Sequence, residues 1–148
     1  MFGSIVVGTD GSQTATTAVR YAIGLARQLG ARLQIVSAYE PVSDSRLRNE
    51  KVEVPKDLQW MVNPREDVLV MLQEAADEAR SAGVAQVETY ARQGDAADAI
   101  LDVAEEQRSD LIVVGNKGMT GAKRFLLGSV PNKVSHHAPC SVLVVRTT

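Results

Sequence analysis

The stretch with the clearest capacity for chemistry runs from Gly115 to Ser129 and reads Gly-Asn-Lys-Gly-Met-Thr-Gly-Ala-Lys-Arg-Phe-Leu-Leu-Gly-Ser. An apolar β-rich run, Leu111-Ile112-Val113-Val114, feeds it, and a helical pattern begins where it ends. Glycine tolerates positive φ and lets a ligand come close to the backbone. The unpaired N–H groups at a helix start, together with its dipole, suit a phosphate. The stretch therefore reads as a nucleotide-phosphate cradle after a central strand, or more plainly as a set of chain turns. Lys117, Lys123 and Arg124 would neutralise phosphate charge on the first reading and are solvated surface cations on the second.

Two familiar phosphate motifs are absent. A dinucleotide fingerprint needs Gly-x-Gly-x-x-Gly after the first strand, and the first strand here runs into Gly8-Thr9-Asp10-Gly11-Ser12. A P-loop needs Gly-Lys followed by a hydroxyl residue, and neither Lys117 nor Lys123 has that context. What remains is Gly-x2-Gly-x9-Gly-Ser, filled by Gly115, Gly118, Gly128 and Ser129. With Val-Gly-Thr-Asp-Gly-Ser at 7–12 and Ala-Pro-Cys-Ser-Val-Leu-Val-Val at 138–145, it resembles the universal stress protein family over the whole chain.

The 148 residues suit one domain, 1–148, with a substantial core. A formal charge of −2 offers no electrostatic reason for a nucleic-acid or anionic-membrane partner. No apolar run approaches a membrane span, no signal-peptide core precedes the first strand, and Cys140 is the sole cysteine. These features point to a cytoplasmic protein.

The elements that must position the glycine stretch follow in order. Ile5-Val6-Val7 is a strand buried on both faces, and Asp10 or Ser12 can cap the helix after it. That helix carries Ala15, Ala18, Val19, Ala22, Leu25, Ala26 and Leu29 at helical spacing and stops at Gly30. A strand over 33–38 follows, then a charged, proline-containing segment over 40–63 that ends near Trp60-Met61, where the tryptophan either packs on the core or lies beside a ligand. From Pro64 a helix shows Val68, Met71, Leu72, Ala75 and Ala79 on one face. Residues 87–92 alternate like an edge strand, Asp95 can cap a helix with Ala96, Ile100, Val103 and Ala104 inward, and Asp110 leads into the fourth strand. A short helix over about 130–137 precedes the last strand, 142–145.

This succession predicts an α/β fold, a single doubly wound five-stranded parallel sheet with helices on both faces. Strands 1 and 4 read as buried and strand 3 as an edge, which a flavodoxin/Rossmann-like order of 3-2-1-4-5 satisfies. That order places the continuously apolar fifth strand on the other edge. An exposed apolar edge invites pairing, so a homodimer through the C-terminal strand is expected, as the family resemblance also implies.

Ligands in such sheets bind at the carboxyl ends of the strands where the order reverses. Here that is between strands 1 and 4, where Gly8, Thr9 and Asp10 meet the Gly115 stretch. The resemblance implies that Gly115, Gly118, Gly128, Ser129 and Val130 line phosphate and ribose sites, with Val114 beneath them. It likewise places Asp10 near the nucleotide, and Ala38 where a backbone reads the adenine edge. A hydroxyl residue often follows Gly-Ser-Val in ATP-binding members, but this chain has Pro131, without hydroxyl or N–H. Gly-Ser-Val-Pro resembles an actinobacterial branch that includes cyclic-AMP binders.

The expected function is therefore a dimeric adenine-nucleotide-binding stress regulator that meets a protein partner the sequence does not name. ATP, ADP, AMP and cyclic AMP stay open as ligands, with Mg²⁺ accompanying ATP. A slow ATPase or autophosphorylating protein, with Asp10 on the metal and Thr120 or Ser129 accepting phosphate, is the enzymatic alternative. A flavin carrier is a third. No nucleophile–base–orienter spacing is visible. His136, His137 and Cys140 show no metal-ligand pattern, and the cysteine reads as a packed small side chain.

Overall fold

The computed structural model describes residues 2–40, 65–116 and 127–147. Lys117, Gly118, Thr120, Lys123, Arg124, Trp60 and Met61 lie outside them. The elements are β1 (Ser4–Gly8), α1 (Gln13–Leu29), β2 (Arg32–Tyr39), α2 (Arg65–Ser81), β3 (Val87–Gln93), α3 (Ala96–Glu106), β4 (Leu111–Gly115), α4 (Ser129–His137) and β5 (Ser141–Val145). The five strands form one sheet in the order β3-β2-β1-β4-β5, with every pair parallel. The expected architecture and strand order are those observed.

Side chains alternate along a strand, so each buried strand supplies both faces of the sheet. Ile5, Val7, Leu33, Ile35 and Val113 face α1 and α2, which close over them with Ala18, Val19, Ala22, Val68, Leu72 and Ala79. Val6, Val36, Ile112 and Val114 face α3 and α4 with Ala97, Ile100, Val103 and Val134. Burial on both faces is why β1 and β4 are short continuous apolar runs rather than alternating ones.

Local signals set the helix ends. Ser12, not Asp10, caps α1: its Oγ accepts from the Ala15 N–H at 3.1 Å. A cap of this kind contributes about 1 kcal/mol. Gly30, at φ 63°, ends α1 by giving its N–H to the Ala26 carbonyl, and Asp95 caps α3 through the Asp98 N–H at 3.1 Å. Two inward faces differ from the expected ones. On α1, Ile23 is buried while Leu29, the last helical residue, is 49% exposed. On α3, Ala97 and Ala99 are buried whereas Ala96 is half-buried at the mouth of a crevice.

The far end of the sheet is tied by polar contacts. The Asp110 carboxylate accepts from the Gly3 and Ser4 N–H groups at 2.9 and 3.1 Å, joining the starts of β1 and β4. Below them Ser4 and Ser109 hydroxyls donate to Gln34 Oε1 at 3.1 and 3.3 Å. This end is closed; the opposite end is open.

Candidate functional site

β1, β2 and β4 end together, and the chain leaves β1 toward β2 but enters β5 from β4. The carboxyl ends therefore diverge, and a crevice opens between them. Its floor is Gly8, Val36, Ser37, Ala38, Val114 and Gly115. Thr9, Asp10, Ser12 and Ala15 form one wall, and Ala96, Ile100, Val130 and Pro131 the other. Of the expected site residues, Gly8, Thr9, Asp10, Ala38, Val114, Gly115 and Val130 come together here. Gly128 and Ser129 stand at the start of α4, directly before Val130.

Gly8 shows why the floor can form. A methyl built on it would fall on the Ile100 side chain, 2.9 Å from Cγ1 and closer to Cδ1. Glycine here lets α3 pack tightly against the end of β1. At Gly11, φ is +80° and a methyl would meet Met71 Sδ, so the turn into α1 needs glycine on both counts. Between them Asp10 Oδ1 accepts the Ser12 N–H at 2.8 Å, and Thr9 Oγ1 accepts the Gly11 N–H at 3.1 Å. Asp10 thus braces the turn before α1 and lines the crevice.

The opposite wall is the start of a helix. Gly128 is the N-cap of α4, in extended conformation, and no side chain caps the first turn. The N–H groups of Ser129 and Val130 have no acceptor within the helix. Pro131 has no N–H at all and is buried against the crevice. Asn132 N–H closes the turn on the Gly128 carbonyl at 3.1 Å. The α4 terminus therefore offers two backbone donors in a position that favours an anion.

One residue that the sequence reading passed over holds this wall in place. Asn116 N–H donates to the Val145 carbonyl at 2.8 Å, and its own carbonyl accepts the Gly128 N–H at 2.9 Å. Its Oδ1 accepts both the N–H and the hydroxyl of Thr147, at 2.8 and 3.0 Å. Asn116 joins the end of β4, the start of α4 and the chain after β5. The partners are 31 residues apart in one case, so spacing gave no sign of it.

The residues set aside earlier stay apart from the crevice. His136 and His137 are exposed at the far end of α4. Cys140 is half-buried; burial first, and then the Asp110 carboxylate, push its thiol above its ordinary value. That disfavours a reactive thiolate. Among the described residues no group of three or more His, Cys, Asp or Glu side chains is placed to hold a metal, and no helix is long and apolar enough to cross a membrane.

The family model described as the universal stress protein family matches residues 1–146. The chain belongs to the universal stress protein family. A universal stress protein of Mycobacterium tuberculosis is 37% identical over 147 residues, covering 99% of this chain and 98% of the relative. The crystal structure of a universal stress protein in complex with cAMP is 35% identical, with a TM-score of 0.75 and 99% of each chain covered. A universal stress protein from Archaeoglobus fulgidus in complex with dAMP shares the fold at 24% identity and a TM-score of 0.67, with 98% of each chain covered.

Proposed function

We propose that this protein is a regulator that binds an adenine nucleotide in the crevice between β1 and β4. The observation that carries the reading is the pairing of an uncapped α4 terminus with a small-residue floor. Ser129 and Val130 present N–H donors to a phosphate, while Gly8, Ala38 and Gly115 leave backbone accessible for ribose and base. In the same reading β5 pairs with β5 of a second copy, and the dimer shows a nucleotide-dependent surface to a protein partner.

ATP and a nucleotide with a single phosphate are the two ligand readings. Pro131 favours the second: it occupies the third position of α4, lines the crevice and withholds the N–H that a longer phosphate chain would use. The 35% identical relative in complex with cAMP supports that direction. Turnover is less well supported. Asp10 is the one carboxylate among the described residues lining the crevice, and the Ser12 N–H already occupies one of its oxygens. Phosphoryl transfer needs both held metal and a group that positions the nucleophile.

Calorimetric titration of nucleotide-stripped protein with Mg-ATP and with cyclic AMP, separately, tests this. Ser129→Asp serves as the control, because a carboxylate at the first helical position complements the helix dipole yet repels phosphate. The expected result is binding of at least one ligand, weakened tenfold or more by Ser129→Asp with the melting temperature preserved. Tighter binding of cyclic AMP assigns a role to Pro131; tighter binding of ATP makes it a helix starter. Binding of neither ligand would sink the reading.

A further inference from the structure

In a parallel ladder a residue gives its N–H to the carbonyl just before its opposite number and takes, on its own carbonyl, the N–H just after it. β4 and β5 pair from Leu111 with Ser141 to Gly115 with Val145, and continuing that register sets Asn116 opposite Arg146. The Asn116 N–H duly donates to the Val145 carbonyl at 2.8 Å. The matching bond would run from the Thr147 N–H to the Asn116 carbonyl, and here the pattern departs. The Thr147 N–H goes to Asn116 Oδ1 at 2.8 Å, joined on the same atom by the Thr147 hydroxyl at 3.0 Å. The Asn116 carbonyl takes the Gly128 N–H instead, at 2.9 Å. The side chain has replaced the backbone carbonyl as a ladder rung, and the freed carbonyl holds the N-cap residue of α4. A short amide side chain suits this exchange, because its oxygen can stand in for a nearby backbone acceptor.

We propose that Asn116 is a positioning residue of the nucleotide crevice: by putting its side chain in the ladder in place of its carbonyl, it lets the sheet hold the α4 terminus in line with the ligand. The inference rests on the nucleotide reading above and assigns what aims its donors. Neither Asn116 nor Thr147 lines the crevice, so their influence passes through Gly128 to the adjoining Ser129 and Val130. Gly128 has no side chain and no side chain caps the first turn of α4, which leaves the Asn116 carbonyl as its link to the sheet. Without Oδ1, the Thr147 and Gly128 N–H groups turn to the same carbonyl. Closing the ladder then draws on the bond that holds α4, and the Ser129 and Val130 N–H groups lose their fixed aim. Hydrogen bonds to a charged acceptor are strong and weaken steeply with angle, so a loosened terminus shows in phosphate affinity.

The test combines calorimetric affinity for AMP with hydrogen exchange at the Gly128 amide in the ligand-free protein. Asn116→Ala is expected to lower AMP affinity about tenfold, the worth of one hydrogen bond to a charged group, and to speed exchange at Gly128. Asp110→Ala is the control for general loss of stability. It removes the acceptor for the Gly3 and Ser4 N–H groups at the closed end of the sheet. It should lower the melting temperature while AMP affinity and Gly128 exchange stay near wild type. Asn116→Asp keeps an oxygen for both Thr147 donors and should restore the protection at Gly128. Wild-type affinity in Asn116→Ala, or an equal loss in Asp110→Ala, overturns the proposal and leaves the nucleotide reading intact. Gly128 exchange that stays fast in Asn116→Asp overturns it as well. Failure of wild type to bind AMP, ATP or cyclic AMP would bring down both together.

Discussion

The two edges of the sheet are both parallel strands, yet they are finished in opposite ways. At β3 the exposed side chains form a polar ladder. Tyr90 donates to Glu88 Oε2 at 2.6 Å, and Arg92 forks onto Glu106 with Nη1 3.2 Å from Oε1 and Nη2 2.6 Å from Oε2. The Arg92 guanidinium also lies 5.4 Å from the Tyr90 ring centre. Charges on an edge oppose pairing with another chain. At β5 the sequence Ser-Val-Leu-Val-Val carries no charge, and Leu143 is 36% exposed. Val142 and Val144 pack against the α3–α4 cluster, so β5 is anchored from below. One edge carries interlocked polar side chains, and the other presents apolar ones. The contrast teaches that the proposed dimer has one available edge, and that Asn116 ties this edge to the wall of the crevice.

The largest effect should come from giving β5 the character of β3. Leu143→Lys is expected to shift the protein from dimer to monomer at micromolar concentration in sedimentation velocity, while Thr89→Lys on β3 leaves the oligomeric state unchanged. A wild-type monomer, or a Leu143→Lys variant that stays dimeric, would break the comparison.

Asn116→Ala loosens the end of β5 rather than altering its surface. It removes the acceptor for two hydrogen bonds from Thr147 and should cost about 1–2 kcal/mol in denaturant unfolding. Asn116→Asp keeps a carboxyl oxygen for both donors and should recover much of that loss. Hydrogen exchange at the Thr147 amide gives a second check, rising in the alanine variant and not in the aspartate one.

Smaller changes are expected at β3, where the ladder is partly exposed. Arg92→Ala should cost about 0.5 kcal/mol, the scale of an ion pair in contact with water. The Tyr90 phenol is pushed from 10.0 up to about 12, first by burial and then by the Glu88 hydrogen bond and charge. Its native-state pKa exceeds the unfolded value, so the native protein holds this proton longer. The associated stability is full below pH 10.0 and is lost as pH rises to about 12. Tyr90→Phe should flatten that part of the stability profile and delete an absorbance titration near pH 12. Loss of the tyrosinate signal near pH 10 instead would show that the ladder does not form.

Much of this molecule was legible before any coordinates. The caps at Ser12 and Asp95 and the stop at Gly30 are short-range devices, satisfied by atoms a few residues away. The continuous apolar runs of β1 and β4 against the alternation of β3 made the strand order readable, because burial on two faces leaves a different composition from burial on one. The glycine spacing and the apolar β5 marked the crevice and the open edge in the same way. The part that stayed hidden depends on which distant atoms meet. Ile100 fills the space that a side chain at Gly8 would need, and Asn116 reads as an ordinary loop residue until Thr147 and Gly128 are brought to it. Ser37 reads as one polar residue in a strand until its hydroxyl is found buried without a partner. Sequence determined the elements, their order and the family, since periodicity, caps and turns are local. Tertiary structure alone decided which polar groups are satisfied, because that depends on the three-dimensional neighbours of each atom.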